Sequence, residues 1–396
     1  MSLLIISYIF PPFNLGAGTV MRNLCKNLPT EKFVVITTAE GLYVRWGIYD
    51  KGNAIDCNLV RLPVQTLSML DQIIFCFLAV FQGIRLNRKK RVQNILAIYP
   101  YYFDLIAGYL LHKLLKKNLF VYMHDLFSES HKSALLYKIW FHFEKKVLAS
   151  ASKILVMNEK YVEHYSKRGF YNLALFPPSI DLDEYAAQSR LAQRPKRTSG
   201  KLRISYTGTI QDAQEDAVLT LLKAAGTMDD VEVLIASPNK DGYMKKEVSK
   251  SLSEVNLGFL PKKESIALQR SADVLFIALS GESYLTEEIN VAFPCKLLEY
   301  LAAGKPILAL VPKGSFVEAF VNKHQVGIVV NELSVKKTVD AINSFKNGEM
   351  REKFSQNALK TAKLFDSKNL SERLFKIMND VEVKTVLTAS EEMEIA

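Results

Sequence analysis

Residues 293–310 read FPCKLLEYLAAGKPILAL. Apolar residues recur there at helical spacing, Ala302, Ala303 and Gly304 close the run, and PILAL follows as a short buried strand. Pro294 is expected in the first helical turn, where its fixed φ fits. The amides of Lys296, Leu297 and Leu298 would then stand free at a helix start, with Glu299 one turn on. A cation and a carboxylate behind free N–H groups suit a diphosphate and the hydroxyls of its ribose. An ordinary strand–helix–strand connection with surface Lys and Glu has the same spacing.

The alternation extends in both directions. SLLIIS, FVVITT, ILAIY, LFVYM and ILVM are strand-like in the first half, with helical stretches near 19–28, 70–82, 103–115 and 135–148 between them. LRISYTG, VEVLIAS, VNLGFL, ADVLFIAL, PILALV and VGIVV form a second series. Strands alternating with helices predict doubly wound parallel sheets, here in two Rossmann-like α/β domains. Their expected bounds are 1–180 and 181–364. A helix near 365–380 is expected to pack back on the first domain, and 381–396 is expected to be a flexible acidic tail. Between the domains, FPPSIDLDEY leads into AAQSRLAQRPKRTSGK, a polar stretch without periodicity that reads as the linker.

The 396 residues suffice for two cores. Four cysteines without CxxC spacing give neither a disulfide framework nor a metal-ligand set, so a reducing, cytoplasmic setting is expected. Asp181, Leu182 and Asp183 imitate a metal-binding DxD, but two carboxylates in a linker make a poor Mg2+ site.

The formal charge of +10 is unevenly placed. The first 180 residues hold 22 Lys and Arg against 11 Asp and Glu, while the rest are close to balanced. No nucleic-acid module accompanies this excess, so a nucleic-acid partner is not expected. The apolar run Ile73 to Phe81 is too short to cross a bilayer. With Phe75, Phe77 and Phe81 leading into Arg85, Arg88, Lys89, Lys90 and Arg91, it suits a peripheral surface on anionic lipid. An amphipathic core helix with a solvated basic end has the same pattern.

Two further motifs carry chemistry. Ile5 to Leu24, IISYIFPPFNLGAGTVMRNL, is a strand entering a loop with Gly16, Ala17 and Gly18, then a helix carrying Arg22. Glycines there allow close backbone approach to an anion at the helix start. Met21 stands where a dinucleotide fingerprint wants its third glycine, and the second strand ends Thr37-Thr38 without an acid, which disfavours NAD. LFVYMHDLF places His124 and Asp125 at a strand's carboxyl end, where open α/β sheets bind ligands.

These segments, in this order, resemble the family-4 glycosyltransferases, which have the GT-B fold of two Rossmann-like domains facing a cleft and mostly retain anomeric configuration. The resemblance implies a sugar moved from a UDP- or GDP-sugar to a lipid-linked or glycan acceptor, as in polysaccharide, O-antigen or glycolipid assembly, without a metal or other cofactor. It implies that Glu299 bonds the donor ribose, that the 296–298 amides meet the diphosphate, and that His124 contacts the transferring sugar. Gly16 to Gly18 would lie beside the β-phosphate and acceptor, Gly208 and Thr209 at phosphate, and Leu260 and Pro261 near the base.

The sequence departs from that family's pattern twice. Val291 stands eight residues before Glu299, where the family commonly has a first glutamate, with Glu287 and Glu288 nearby. Residues 209–215 lack the usual Arg and Lys, leaving Lys262, Lys263 or Lys296 to replace them. A catalytically inactive scaffold and a sugar-nucleotide epimerase of the same fold remain the alternatives.

Overall fold

The computed structural model describes residues 3–12, 16–40, 54–66, 68–126, 134–191, 200–238, 246–252, 255–280 and 286–379. Met1–Ser179 with the chain from Ser367 onward forms one compact unit, and Ile180–Asp366 forms the other. The acidic tail expected at 381–396 lies outside the described residues.

In the first unit the strands are β1 (Leu3–Ile6), β2 (Phe33–Thr38), β3 (Leu59–Leu62), β4 (Asn94–Tyr99), β5 (Asn118–Met123), β6 (Lys153–Val156) and β7 (Leu173–Leu175). All pair in parallel, in the order β3-β2-β1-β4-β5-β6-β7. Leu3 to Ile6 are fully buried, as expected of a central parallel strand covered on both faces. The strand order reverses between β1 and β4, the position at which such sheets open a ligand crevice beyond their carboxyl ends. Its helices are α1 (Ala17–Lys26), α2 (Met69–Lys90), α3 (Tyr102–Leu115), α4 (Ala134–Ser150) and α5 (Glu159–Lys167).

Strands β3 and β7 escape a sequence reading because each is a short edge strand with half-exposed residues. Arg61 on β3 donates to the carbonyls of Thr38 and Pro11 and pairs with Glu40, tying the edge to the segment after β1. Tyr8 fixes the same segment: its amide donates to Asp104 Oδ2 at 2.7 Å, and its hydroxyl donates to the Thr66 carbonyl.

The second unit contains α6 (Leu182–Leu191), β8 (Leu202–Thr207), α7 (Asp212–Ala225), β9 (Val231–Ala236), α8 (Lys246–Leu252), α9 (Lys262–Ser271) and β10 (Val274–Ala278). It continues with α10 (Thr286–Val291), α11 (Cys295–Ala302), β11 (Ile307–Leu310), α12 (Phe316–His324), β12 (Gly327–Val330), α13 (Val335–Ser344) and α14 (Gly348–Ala362). Its parallel sheet runs β12-β11-β10-β8-β9, so the order reverses between β8 and β10. The last helix, α15 (Ser367–Asn379), belongs to the first unit, where Ser371 donates to the Leu24 carbonyl and Asn27 to the Ser367 hydroxyl.

Four expectations are corrected. The polar linker was expected to lack periodicity, yet its first part is α6, started by Asp181, whose Oδ1 accepts from the Glu184 amide at 2.8 Å. VNLGFL forms no strand: Asn256 makes an isolated bridge, Gly258 has φ +72°, and Leu257 and Phe259 are exposed. The run at 73–81 is part of α2, whose 22 residues are long and apolar enough to span a membrane, contrary to the shorter estimate. Phe75 does not face outward. It is fully buried, with its ring 4.8 Å from that of Tyr8.

Gly327 tests the second sheet. A Cβ there would stand 1.8 Å from the Ile307 carbonyl oxygen, on the backbone of β11. Gly327→Ala should therefore destabilise the protein by roughly 3 kcal/mol, read from denaturant unfolding, because backbone cannot step aside as a side-chain tip would. Gly348→Ala, with open space around the site, should cost far less.

Candidate functional site

Strand β8 ends in Tyr206, Thr207 and then Gly208, whose φ of +125° only glycine adopts without strain. The chain therefore turns sharply at the carboxyl edge of the sheet, beside the β8/β10 reversal. A Cβ on Gly208 would lie 3.0 Å from the Nζ of Lys296, which arrives from the first turn of α11. The ammonium donates to the Tyr206 hydroxyl at 2.6 Å and lies 3.9 Å from the centroid of that ring. Tyr206 in turn donates to the Thr209 carbonyl at 2.7 Å.

A cation thus sits against the glycine turn, although residues 209–215 contain none. Burial lowers its pKa to about 7, a fall that the Glu299 carboxylate partly opposes. An anion arriving at the turn would restore the charged form.

Glu299 lies on the same helix. Its Oε2 accepts from Gln269 Nε2 at 2.8 Å, and its Oε1 pairs with Lys262 Nζ at 3.5 Å. Gln269 is fully buried; it also donates to Thr207 Oγ1 at 3.0 Å and accepts from the Tyr185 hydroxyl at 3.0 Å. The Tyr300 hydroxyl accepts from the Thr207 amide at 3.0 Å. The end of β8 is therefore bonded to α9 and α11, and Glu299 is oriented by a neighbour that has no freedom to rotate.

Pro294 is the residue before the helix, not its first helical position, and the expected bare amides are only partly bare. Leu297 N–H donates to the Pro294 carbonyl at 2.8 Å, closing a tight first turn. The Gly208 amide is likewise occupied, by the Ala236 carbonyl at 2.9 Å. The helix start therefore offers fewer free amides than its spacing suggested, and the cation beside the turn is the Lys296 side chain. Leu260 is half-buried and Pro261 exposed, Pro261 immediately before α9. Val291 is buried, and Glu287, suggested as a substitute for the missing glutamate, is exposed on α10.

In the first unit, Gly16 has φ +48° with nothing within 4 Å of a Cβ position, and it precedes α1, which begins at Ala17. Gly18 and Arg22 are buried on that helix. His124 follows β5 and is 8% exposed. Its ring packs edge-on against Tyr122, and neither ring nitrogen has a hydrogen-bond partner among the described residues. Desolvation lowers its pKa to about 3, so the imidazole is neutral at ordinary pH and keeps one donor and one acceptor to offer. Burial also raises Asp125 to about 6. Among the described residues no cluster of three His, Cys, Asp or Glu could hold a metal ion.

Comparison with known proteins places the fold. Residues 212–361, spanning α7 to α14, match the family model described as "Glycosyl transferases group 1". The match lies within the second unit and covers less than half of the chain. No curated protein matches the sequence. Among solved structures, the chain resembles Anabaena HepE in complexes with UDP and with UDP-glucose (15% identity, TM-score 0.70, 96% of this chain and 100% of that one). Sucrose-phosphate synthase from Thermosynechococcus elongatus gives 15% identity and a TM-score of 0.70, covering 96% of this chain and 98% of that one. A putative UDP-N-acetylglucosamine 2-epimerase from Listeria monocytogenes gives 11% and 0.60, covering 96% of each. These likenesses show the GT-B fold.

Within the second unit, sequence reasoning missed Tyr185, Tyr206, Gln269 and Tyr300. One signal was available for Gln269: it lies three residues after the buried Ile266, a polar residue at a core position of α9. The tyrosines gave no comparable signal, because buried aromatics are ordinary core.

Gly208→Ala tests the turn. The methyl group would be strained at positive φ and would press on the Lys296 ammonium. The expected outcome is a stability loss of about 1–3 kcal/mol, read from denaturant unfolding.

Proposed function

We propose that this protein is a glycosyltransferase that moves a sugar from a nucleoside diphosphate sugar to a lipid-linked or glycan acceptor, with the donor on the second unit. The observation that carries the reading is Lys296, held by Tyr206 at the Gly208 turn with Glu299 one helical turn behind it. The spacing fits a diphosphate on the cation and a ribose on the carboxylate. As the acceptor oxygen bonds to the sugar's anomeric carbon and the bond to phosphate breaks, charge grows on the departing β-phosphate. An ammonium held at the turn by Tyr206 would stabilise that charge more than the ground state.

His124 and the glycine segment at 16–18 are assigned to the sugar and acceptor side. A neutral buried imidazole with open nitrogens is suited to hydrogen-bond a sugar hydroxyl. The basic first half fits an acceptor carried on a phosphate-linked lipid. With Lys296 as the charge neutraliser, the reading includes no metal. All four cysteines are free, which supports a cytoplasmic setting. Retention of configuration and a role in surface polysaccharide or glycolipid assembly belong to the same proposal.

The buried Val291 in place of a first glutamate favours one competing reading, a scaffold that binds nucleotide without transfer. Glu299→Gln separates the two. Transfer should fall at least tenfold and UDP should bind more weakly, since a charged acceptor of ribose hydroxyls is replaced by a neutral amide. Absence of transfer by the unaltered protein across UDP- and GDP-sugars would favour the scaffold, and isomerised donor formed without acceptor would indicate an epimerase.

Lys296 also sets a pH dependence. With its empty-site pKa near 7, the ammonium population falls as pH rises above that value, and nucleotide binding must then be accompanied by proton uptake. UDP affinity should decline about tenfold per pH unit from just above pH 7 towards pH 9. Lys296→Met should bind more weakly throughout and lose that slope, as measured by calorimetry across the range.

A further inference from the structure

The outer face of α2 has a feature that nucleotide-sugar chemistry does not use. Leu70, Ile74, Phe77 and Phe81 recur at steps of four, three and four residues, all exposed, Phe77 by 69% and Phe81 by 63%. The same stripe continues through Arg85 and Arg88, both exposed. The opposite face is locked into the core: Phe75, Cys76 and Ala79 are buried, and a Cβ on Gly83 would stand 2.6 Å from Leu111 of α3. That close approach brings the basic end of α2 beside the end of α3, where Leu110, Lys113, Leu114 and Lys116 are exposed.

By length and composition alone α2 passes as a spanning helix. Its packing argues otherwise, because crossing a bilayer would strip Phe75 from Tyr8 and Gly83 from Leu111, exposing the edge of the first sheet. We infer that α2 lies in the interface of an anionic membrane without crossing it, its Leu70–Phe81 stripe among the acyl chains and its arginines, with the lysines of α3, on the lipid phosphates. The apolar stripe alone would suit a second copy of the chain equally well. Continuation of that stripe into cations, within a half of the protein that holds the whole charge excess, selects anionic lipid. The inference is consistent with a lipid-linked acceptor but does not require transfer activity.

The test is co-sedimentation of the full-length protein with vesicles of phosphatidylcholine alone or mixed with phosphatidylglycerol, with UDP binding measured in parallel as a folding control. Binding to the anionic vesicles only, released by 0.5 M salt, is expected. Arg85→Ala with Arg88→Ala should weaken it about 25-fold, near fivefold for each cation. Phe77→Ser with Phe81→Ser, both at exposed positions, should abolish it while leaving UDP affinity unchanged. Absence of vesicle binding, equal binding to neutral vesicles, or resistance to salt and alkaline extraction would each overturn the inference. So would a dimer that the phenylalanine pair converts to monomer with lipid binding intact. Loss of UDP binding with intact vesicle binding would count against the donor site alone.

Discussion

The contact on which the proposed donor site depends is that of the Lys296 ammonium with Tyr206 at the carboxyl end of β8. A lysine side chain gives up solvation to lie there, and the tyrosine hydroxyl and ring face replace only part of it, which is why the proton is held less tightly than in water. In the function proposed above, an incoming diphosphate would complete what the protein leaves unfinished. The positive φ of Gly208 itself selects glycine at the turn, and a Cβ there would stand 3.0 Å from the ammonium.

Around that point the second unit is braced by polar groups. Tyr185, Gln269, Thr207 and Tyr300 form a buried set that joins α6, α9 and α11 to the end of β8. Buried polar groups are costly unless satisfied, and here each satisfies another while one Gln269 donor remains for Glu299. The carboxylate is therefore presented in a fixed direction before any ligand arrives, which is the preorganisation a binding site requires. In the first unit, Tyr8 and Arg61 serve a comparable purpose by anchoring the segment after β1 on which the glycine motif follows.

The first unit divides its helices between two tasks. Helix α2 buries one face to complete the sheet's cover and leaves an apolar face outside, an arrangement costly in water and useful at a lipid boundary. Hydropathy along the chain does not distinguish these faces, which is why Phe75 and Phe77 read alike in sequence and lie on opposite sides of the same helix.

The sequence by itself determined the two parallel α/β sheets, most of their strands, and the stretches that would stand at the strands' carboxyl ends. Those features follow from periodicity and from glycine and proline placement, which act locally. Tertiary structure alone decided that Lys296, some ninety residues from Tyr206 along the chain, meets its hydroxyl, that Gln269 bonds Glu299, and that Leu297 spends its amide on Pro294. It likewise turned VNLGFL from an expected strand into an irregular segment and the start of the linker into a helix. Such outcomes depend on which side chains meet across the fold and on how much water their meeting removes, and neither quantity is encoded in local spacing.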